Sequence, residues 1–209
     1  LRYIKKIYRK NYQLIVIDSD GQDNPDGILK LIKKFNKTNS CVVAKRGQRR
    51  ESLWFKICYE IYCLLIYILS FKKIRFGNFS ILRFEDVNNI LRDNNLWGAF
   101  PPTLSLNLKK ISFITIDREK RYSGNSKMNF FGLFYHAMRV FSVLRFKVLF
   151  VSFFYFIILF LIIPQKYFAV CLIFLSLLSL MNASNFILSF SNKINFYKSF
   201  KKVKVLSYR

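Results

Sequence analysis

Histidine is nearly absent from this 209-residue chain, which holds only His136. The four cysteines, Cys41, Cys58, Cys63 and Cys171, form no Cys-x-x-Cys pair. Together these two absences exclude the usual zinc ligand sets. Scattered single cysteines suit a reducing, cytosol-facing protein. Acidic residues are scarce too: 11 Asp and Glu stand against 35 Lys and Arg, a formal net charge of +24. Neither an initiating methionine nor a signal-peptide layout opens the chain, which starts at Leu1. It reads as a fragment with further sequence upstream.

What is abundant is apolar and aromatic side chain, 53% and 18% of the residues. Strong basicity beside strong apolarity calls for a partner that is both anionic and greasy. A lipid bilayer surface or a lipid phosphate fits that description. Nucleic acid is the other standing explanation for such charge, and the long apolar runs argue against it.

The first half alternates short buried strands with helical spacing. Leu14-Ile15-Val16-Ile17 is a β-branched run that stops at Asp18-Ser19-Asp20-Gly21. Asn24-Pro25-Asp26-Gly27 starts a helix, with Pro25 suited to its first position and Ile28, Leu29, Ile32 and Phe35 at helical intervals. Cys41-Val42-Val43-Ala44 predicts a second strand, running into Lys45, Arg46, Arg49 and Arg50. Gly77–Arg83 predicts a turn into a strand, Glu85–Arg92 a helix, Leu96–Pro102 a loop, and Ile111–Ile116 a strand. This order is an α/β pattern. Residues 53–71 read either as an amphipathic helix at a membrane interface or as an ordinary buried helix, with a true span the least favoured.

Beyond Lys127 the character changes. Residues 128–147 combine aromatics with Arg139, Arg145 and Lys147, the composition of an interfacial helix. Val148–Ile163 and Tyr167–Phe190 carry no charge and are separated by Pro164-Gln165-Lys166. Two such runs around a tight turn predict a transmembrane hairpin over 148–190, followed by a basic tail, 191–209. Arg139, Arg145 and Lys147 precede the hairpin and Lys193, Lys198, Lys201, Lys202 and Lys204 follow it. With Lys166 alone in the turn, the positive-inside rule predicts an inner-membrane protein whose N-terminal domain and tail face the cytoplasm.

Two carboxylates two residues apart at a strand end, Asp18 and Asp20 with Gln22 nearby, can turn toward one hard cation, Mg2+ or Mn2+. The stretch Ile17–Pro25 resembles the D-x-D-x-Q-D/N-P-P segment of family-2 glycosyltransferases, in particular the membrane-anchored dolichyl and undecaprenyl-phosphate sugar transferases of bacteria. Three further blocks agree in order. Val42–Arg46 with Arg49 resembles D-V-V-x-G-x-R-x-x-R. Gly77–Leu82 resembles G-D/N-F-R-L-M. Arg121–Met128 resembles R-x-x-G-x-S-K-Y. Asn78 stands where many relatives have aspartate, and Ser80 where many have arginine. The family's opening P-x-Y-N-E strand has no counterpart in this sequence.

The resemblance implies a partial GT-A (Rossmann-like) catalytic domain over 1–127, an interfacial helix over 128–147, and the two-helix hairpin. It implies metal-dependent, inverting transfer of a sugar from a nucleotide-sugar donor to a polyprenyl phosphate acceptor. Asp18, Asp20 and Gln22 would hold the metal. Asp20, Arg46 and Arg121 would be catalytic. Arg49, Ser126 and Lys127, with Asp18 and Gln22, would bind substrate. Two alternatives remain open at this level: transfer to another lipid or polysaccharide acceptor, and a non-catalytic scaffold that binds lipid phosphate. Homo-oligomers through the hairpin are compatible with either.

Overall fold

A computed structural model describes residues 1, 12–47, 53–117, 119 and 130–202. Four strands form one sheet: β1 (Gln13–Val16), β2 (Cys41–Arg46), β3 (Ser80–Arg83) and β4 (Ile111–Ile116), in the order β1-β3-β2-β4. β3 runs antiparallel to both β1 and β2, and β2 runs parallel to β4. β1, β2 and β4 therefore all point the same way, and their C-terminal ends share one edge. Connections in this first half are α1 (Asp26–Thr38), α2 (Leu53–Ser70), α3 (Phe84–Leu91), a 3-10 turn (Asn94–Trp97) and α4 (Phe100–Asn107).

The period-2 alternation of β2 sets the layers. Val42 and Ala44 pack with Ile81, Phe79 and Ile116 against Leu31 and Phe35 of α1. Cys41 and Val43 face the other way, with Leu82, against Val87, Ile90 and Leu104 of α3 and α4. Helices on both faces of a mixed sheet bear out the α/β reading. α1 ends where Asn39 takes a left-handed conformation (φ 44°) and donates its N–H to the carbonyl of Phe35, 2.7 Å away.

α3 depends on one buried carboxylate. Asp86, 2% exposed, accepts from the Arg83 backbone N–H at 3.0 Å and from its guanidinium at 3.1 and 2.9 Å. An acid at the third helical position reaching back to the residue before the helix satisfies a donor that the helix itself leaves unpaired. Asp86→Ala strands both donors, so we expect a loss of about 2–3 kcal/mol in folding stability. Denaturant unfolding of the full chain checks this.

Two expectations need correction. Leu96–Pro102 is not a loop: Pro101 and Pro102 open α4. Proline fits a first helical turn, whose N–H groups have no intrahelical acceptor. Nor is α2 an ordinary buried helix. Of its 18 residues only Cys63, Ile66, Leu69 and Ser70 are buried, while Leu53, Trp54, Ile57, Ile61 and Leu64 are exposed.

The second half is helical: α5 (Phe130–Val143), α6 (Arg145–Ile162), a 3-10 turn (Gln165–Tyr167) and α7 (Phe168–Lys202). α2, α6 and Phe168–Ile194 of α7 are long and apolar enough to cross a membrane. The helical hairpin is thus present. Its second arm continues without a break through 191–202, where a tail was expected, and measures about 52 Å at ~1.5 Å per residue. The seam of α7 follows a 4-3 spacing through Cys171, Leu175, Leu178, Asn182, Asn185, Ser189 and Asn192. It is apolar toward the turn and polar toward the sheet. Ile66 and Leu69 of α2 pack with Val140, Val143, Leu144 and Val148 in a core that ties α2 to the hairpin.

Candidate functional site

The acidic loop after β1, the end of β2, the approach to β3 and the exit from β4 all meet at one sheet edge. This is the edge where α/β sheets bind ligands, beyond the C-terminal ends of parallel strands. Asp18, Asp20 and Gln22 lie in the first of these, and Arg46 closes β2. Asn78, two residues before β3, donates from Nδ2 to Asp18 Oδ1 at 3.1 Å. Gly21 has φ 74°, a left-handed conformation suited to glycine. The turn it makes brings the Gln22 N–H back to Asp20 Oδ1, at 3.2 Å.

Further residues hold the loop in place. Asp23 is buried and accepts the Asp18 N–H at 3.3 Å. Asn24 donates to Glu119 Oε1 at 2.6 Å, and the Glu119 N–H returns to the Gln22 carbonyl at 3.0 Å. Asp117 packs its carboxylate against Gly47, where a Cβ would overlap it. Gly27, in the first turn of α1, lies so close to the sheet that a Cβ would come within 2.8 Å of Phe79. A small cleft joins these parts, lined by Asp23, Arg46, Gly77, Asn78, Phe79 and Ile116. Lys45 borders it too, with its ammonium 4.0 Å from the ring centre of Phe113, a cation–π contact.

Of the residues expected in a site, Asp18, Asp20, Gln22 and Arg46 come to this edge together. Arg49, Arg121, Ser126 and Lys127 lie outside the described residues. Asp23, Asn24, Asp117 and Glu119 were not singled out as site residues. The signal for the last two was present: an acidic stretch directly after an apolar strand, at the same kind of end as Asp18 and Asp20.

Among the described residues no three His, Cys, Asp or Glu side chains cluster so as to hold a metal by themselves. The donor set instead fits a cation shared with substrate. Mg2+ is commonly bound through one or two carboxylates, with water and substrate phosphates completing its shell. Asp18 and Asp20 supply two carboxylates of that hard oxygen type, and the Gln22 side-chain carbonyl is a third oxygen in the same loop.

Comparison with known protein families finds no matching family, and no curated protein matches the chain.

Proposed function

We propose that the complete protein transfers a sugar from a nucleotide-sugar donor to a polyprenyl phosphate at the cytoplasmic membrane surface, through a GT-A-type domain. One observation carries the reading. A loop bearing two carboxylates and an arginine-ended strand meet at the ligand-binding edge of an α/β sheet, on a chain that also holds an apolar hairpin.

The chemistry assigns distinct tasks to these groups. Asp18 and Asp20, with Gln22, hold a divalent cation. That cation, when bound, stabilises the charge of the departing nucleoside diphosphate. Asn78 fixes Asp18 through its amide, and Asp23 fixes the backbone N–H of the same residue. Arg46 offers a forked guanidinium, matched to phosphate oxygens, from the adjacent wall of the cleft. Arg121, Arg49, Ser126 and Lys127 supply the remaining phosphate contacts. The acceptor is a phosphate monoester whose second pKa is roughly 6, by analogy with phosphorylated side chains. It is a good anionic nucleophile at neutral pH, so no strong general base is needed. In-line attack at the anomeric carbon inverts its configuration. Membrane helices on the same chain keep the site near the height at which the lipid presents its phosphate, which lowers the entropy cost of bringing two substrates together.

The full-length protein in liposomes carrying undecaprenyl phosphate is the test. A panel of labelled nucleotide sugars should yield one donor whose label moves to the lipid fraction with Mn2+ or Mg2+ and stays in water with EDTA. Label that remains aqueous for every donor, under all metals, would sink the proposal.

A further inference from the structure

A second cleft, of about 590 Å3, opens at the junction between the helical hairpin and the sheet's helical layer. It is lined by the 3-10 turn after α3 (Arg92–Asn95), Asn107, the start of α6 (Arg145, Phe146) and one face of α7 (Phe186, Ser189, Phe190, Lys193). Asn107 precedes the N-terminal end of β4, whereas Asp117 and Glu119 follow its C-terminal end. This cleft is therefore distinct from the acidic edge.

Its walls differ in chemistry. Arg92, Arg145 and Lys193 bring three positive charges. Asp93 is the one carboxylate among the lining residues, and both its oxygens are already engaged. Oδ1 accepts from the Asn95 backbone N–H (2.8 Å) and Asn95 Nδ2 (2.7 Å), and Oδ2 from Asn107 Nδ2 (2.8 Å). Arg145 is held rather than mobile. Its Nη1 donates to Asn95 Oδ1 and to the Ser142 carbonyl, and its guanidinium stacks 4.6 Å from Phe146 and 5.9 Å from Phe186. It makes no salt bridge among the described residues. Phe146 and Phe186 meet edge to face at 5.6 Å, and Phe190 is exposed beside them. A fixed arginine fork above an aromatic wall, flanked by two more cations, matches an anion carrying an apolar chain.

Position selects the source of that anion. α6 begins at Arg145, and the apolar part of α7 ends at Ile194. The cleft thus sits at the polar end of the hairpin, at headgroup height for a hairpin that crosses a bilayer. Basic pockets between membrane helices at this level hold anionic lipid headgroups. We propose that this cleft binds the phosphate of an anionic glycerophospholipid, with Arg145 and Lys193 on the phosphate and Phe146, Phe186 and Phe190 along an acyl chain. Free phosphate shares the anion but not the chain.

The experiment uses the full chain in detergent, titrated with phosphatidylglycerol or phosphatidylcholine and read by native mass spectrometry. One phosphatidylglycerol should bind at least tenfold more tightly than phosphatidylcholine. Arg145→Gln combined with Lys193→Gln should abolish that preference, while Lys166→Gln, at the far turn, should leave it unchanged. Far-UV circular dichroism checks that each variant folds. If the first pair does not fold, Arg92→Gln with Lys193→Gln, both exposed cations, replaces it and should weaken phosphatidylglycerol binding at least threefold. Equal binding of the two lipids, or undiminished preference in a folded cation variant, overturns the proposal. Displacement of phosphatidylglycerol by an equal concentration of inorganic phosphate overturns the lipid assignment. None of these readouts depends on sugar transfer, so this inference and the transferase reading fail separately.

Discussion

Asp20→Asn in the full-length protein is expected to lower metal-dependent sugar transfer to polyprenyl phosphate by at least 100-fold. That factor corresponds to about 2.7 kcal/mol of lost transition-state stabilisation. The substitution is chosen because it removes charge and little else. An asparagine carbonyl can still accept the Gln22 N–H that Asp20 Oδ1 accepts at 3.2 Å, so the turn at Gly21 survives. What disappears is half the negative charge that the two proposed metal-holding carboxylates provide. The loss should be partly recovered by raising Mn2+, because a weakened site fills at higher metal concentration. Asp26→Asn provides the control. Asp26 is exposed at the start of α1 and its backbone N–H is capped by Asn24, at 2.8 Å, so transfer should stay within twofold of wild type. Radiolabel partition between water and lipid, measured across a manganese series, gives both numbers. Transfer by Asp20→Asn equal to wild type at every manganese concentration would remove Asp20 from the metal.

The strands could be read before the structure because each is an apolar run cut off by charge or turn residues. β2 and β4 end in Lys45-Arg46 and before Asp117, and hydrophobic periodicity is strongest where such punctuation is sharp. α4 could not be read in the same way. Two consecutive prolines look like a loop, and only the packing of Thr103 and Leu104 beneath them, both fully buried, makes the turn helical. The metal loop was readable as a motif, but its support was not. Asn78 lies 60 residues from Asp18, and only the antiparallel insertion of β3 between β1 and β2 brings them together. That contact also gives Asn78 a task where an acid was expected: an amide can donate to a carboxylate, which an ionised aspartate cannot. The cleft under Arg145 is less readable still, since its walls come from four separate stretches of chain.

Crossing of the membrane by α2 is the remaining question of architecture, and connectivity decides it. α2 follows β2 and precedes β3, and these strands are hydrogen-bonded neighbours, with Val42 opposite Ile81 and Val43 opposite Ser80. A single crossing would put the two strands on opposite sides of a bilayer. Recrossing would have to use the link from Arg46 to Leu53, which reaches at most about 25 Å, short of a ~30 Å hydrocarbon core. Irregular backbone exposed to lipid is also forbidden there. α2 therefore lies at the interface, with its exposed Leu, Ile and Trp side chains in the lipid boundary. The hairpin obeys the opposite parity. Ser189, far along α7, donates to Asn95 at 3.2 Å, so α7 returns to the side from which α6 left. Single-cysteine labelling with a membrane-impermeant maleimide tests this on oriented vesicles, in a Cys58→Ser background. Cys41, Cys63 and Cys171 are buried, and burial, aided by Asp86, pushes the Cys41 thiol up to about 12, so at pH 8 it stays protonated and unreactive. Leu53→Cys and Lys73→Cys should label from one face only, and Lys166→Cys from the other only, each difference tenfold or more. Labelling of positions 53 and 73 from opposite faces would mean that α2 spans the membrane, and the sheet pairing of β2 with β3 would have to be abandoned with it.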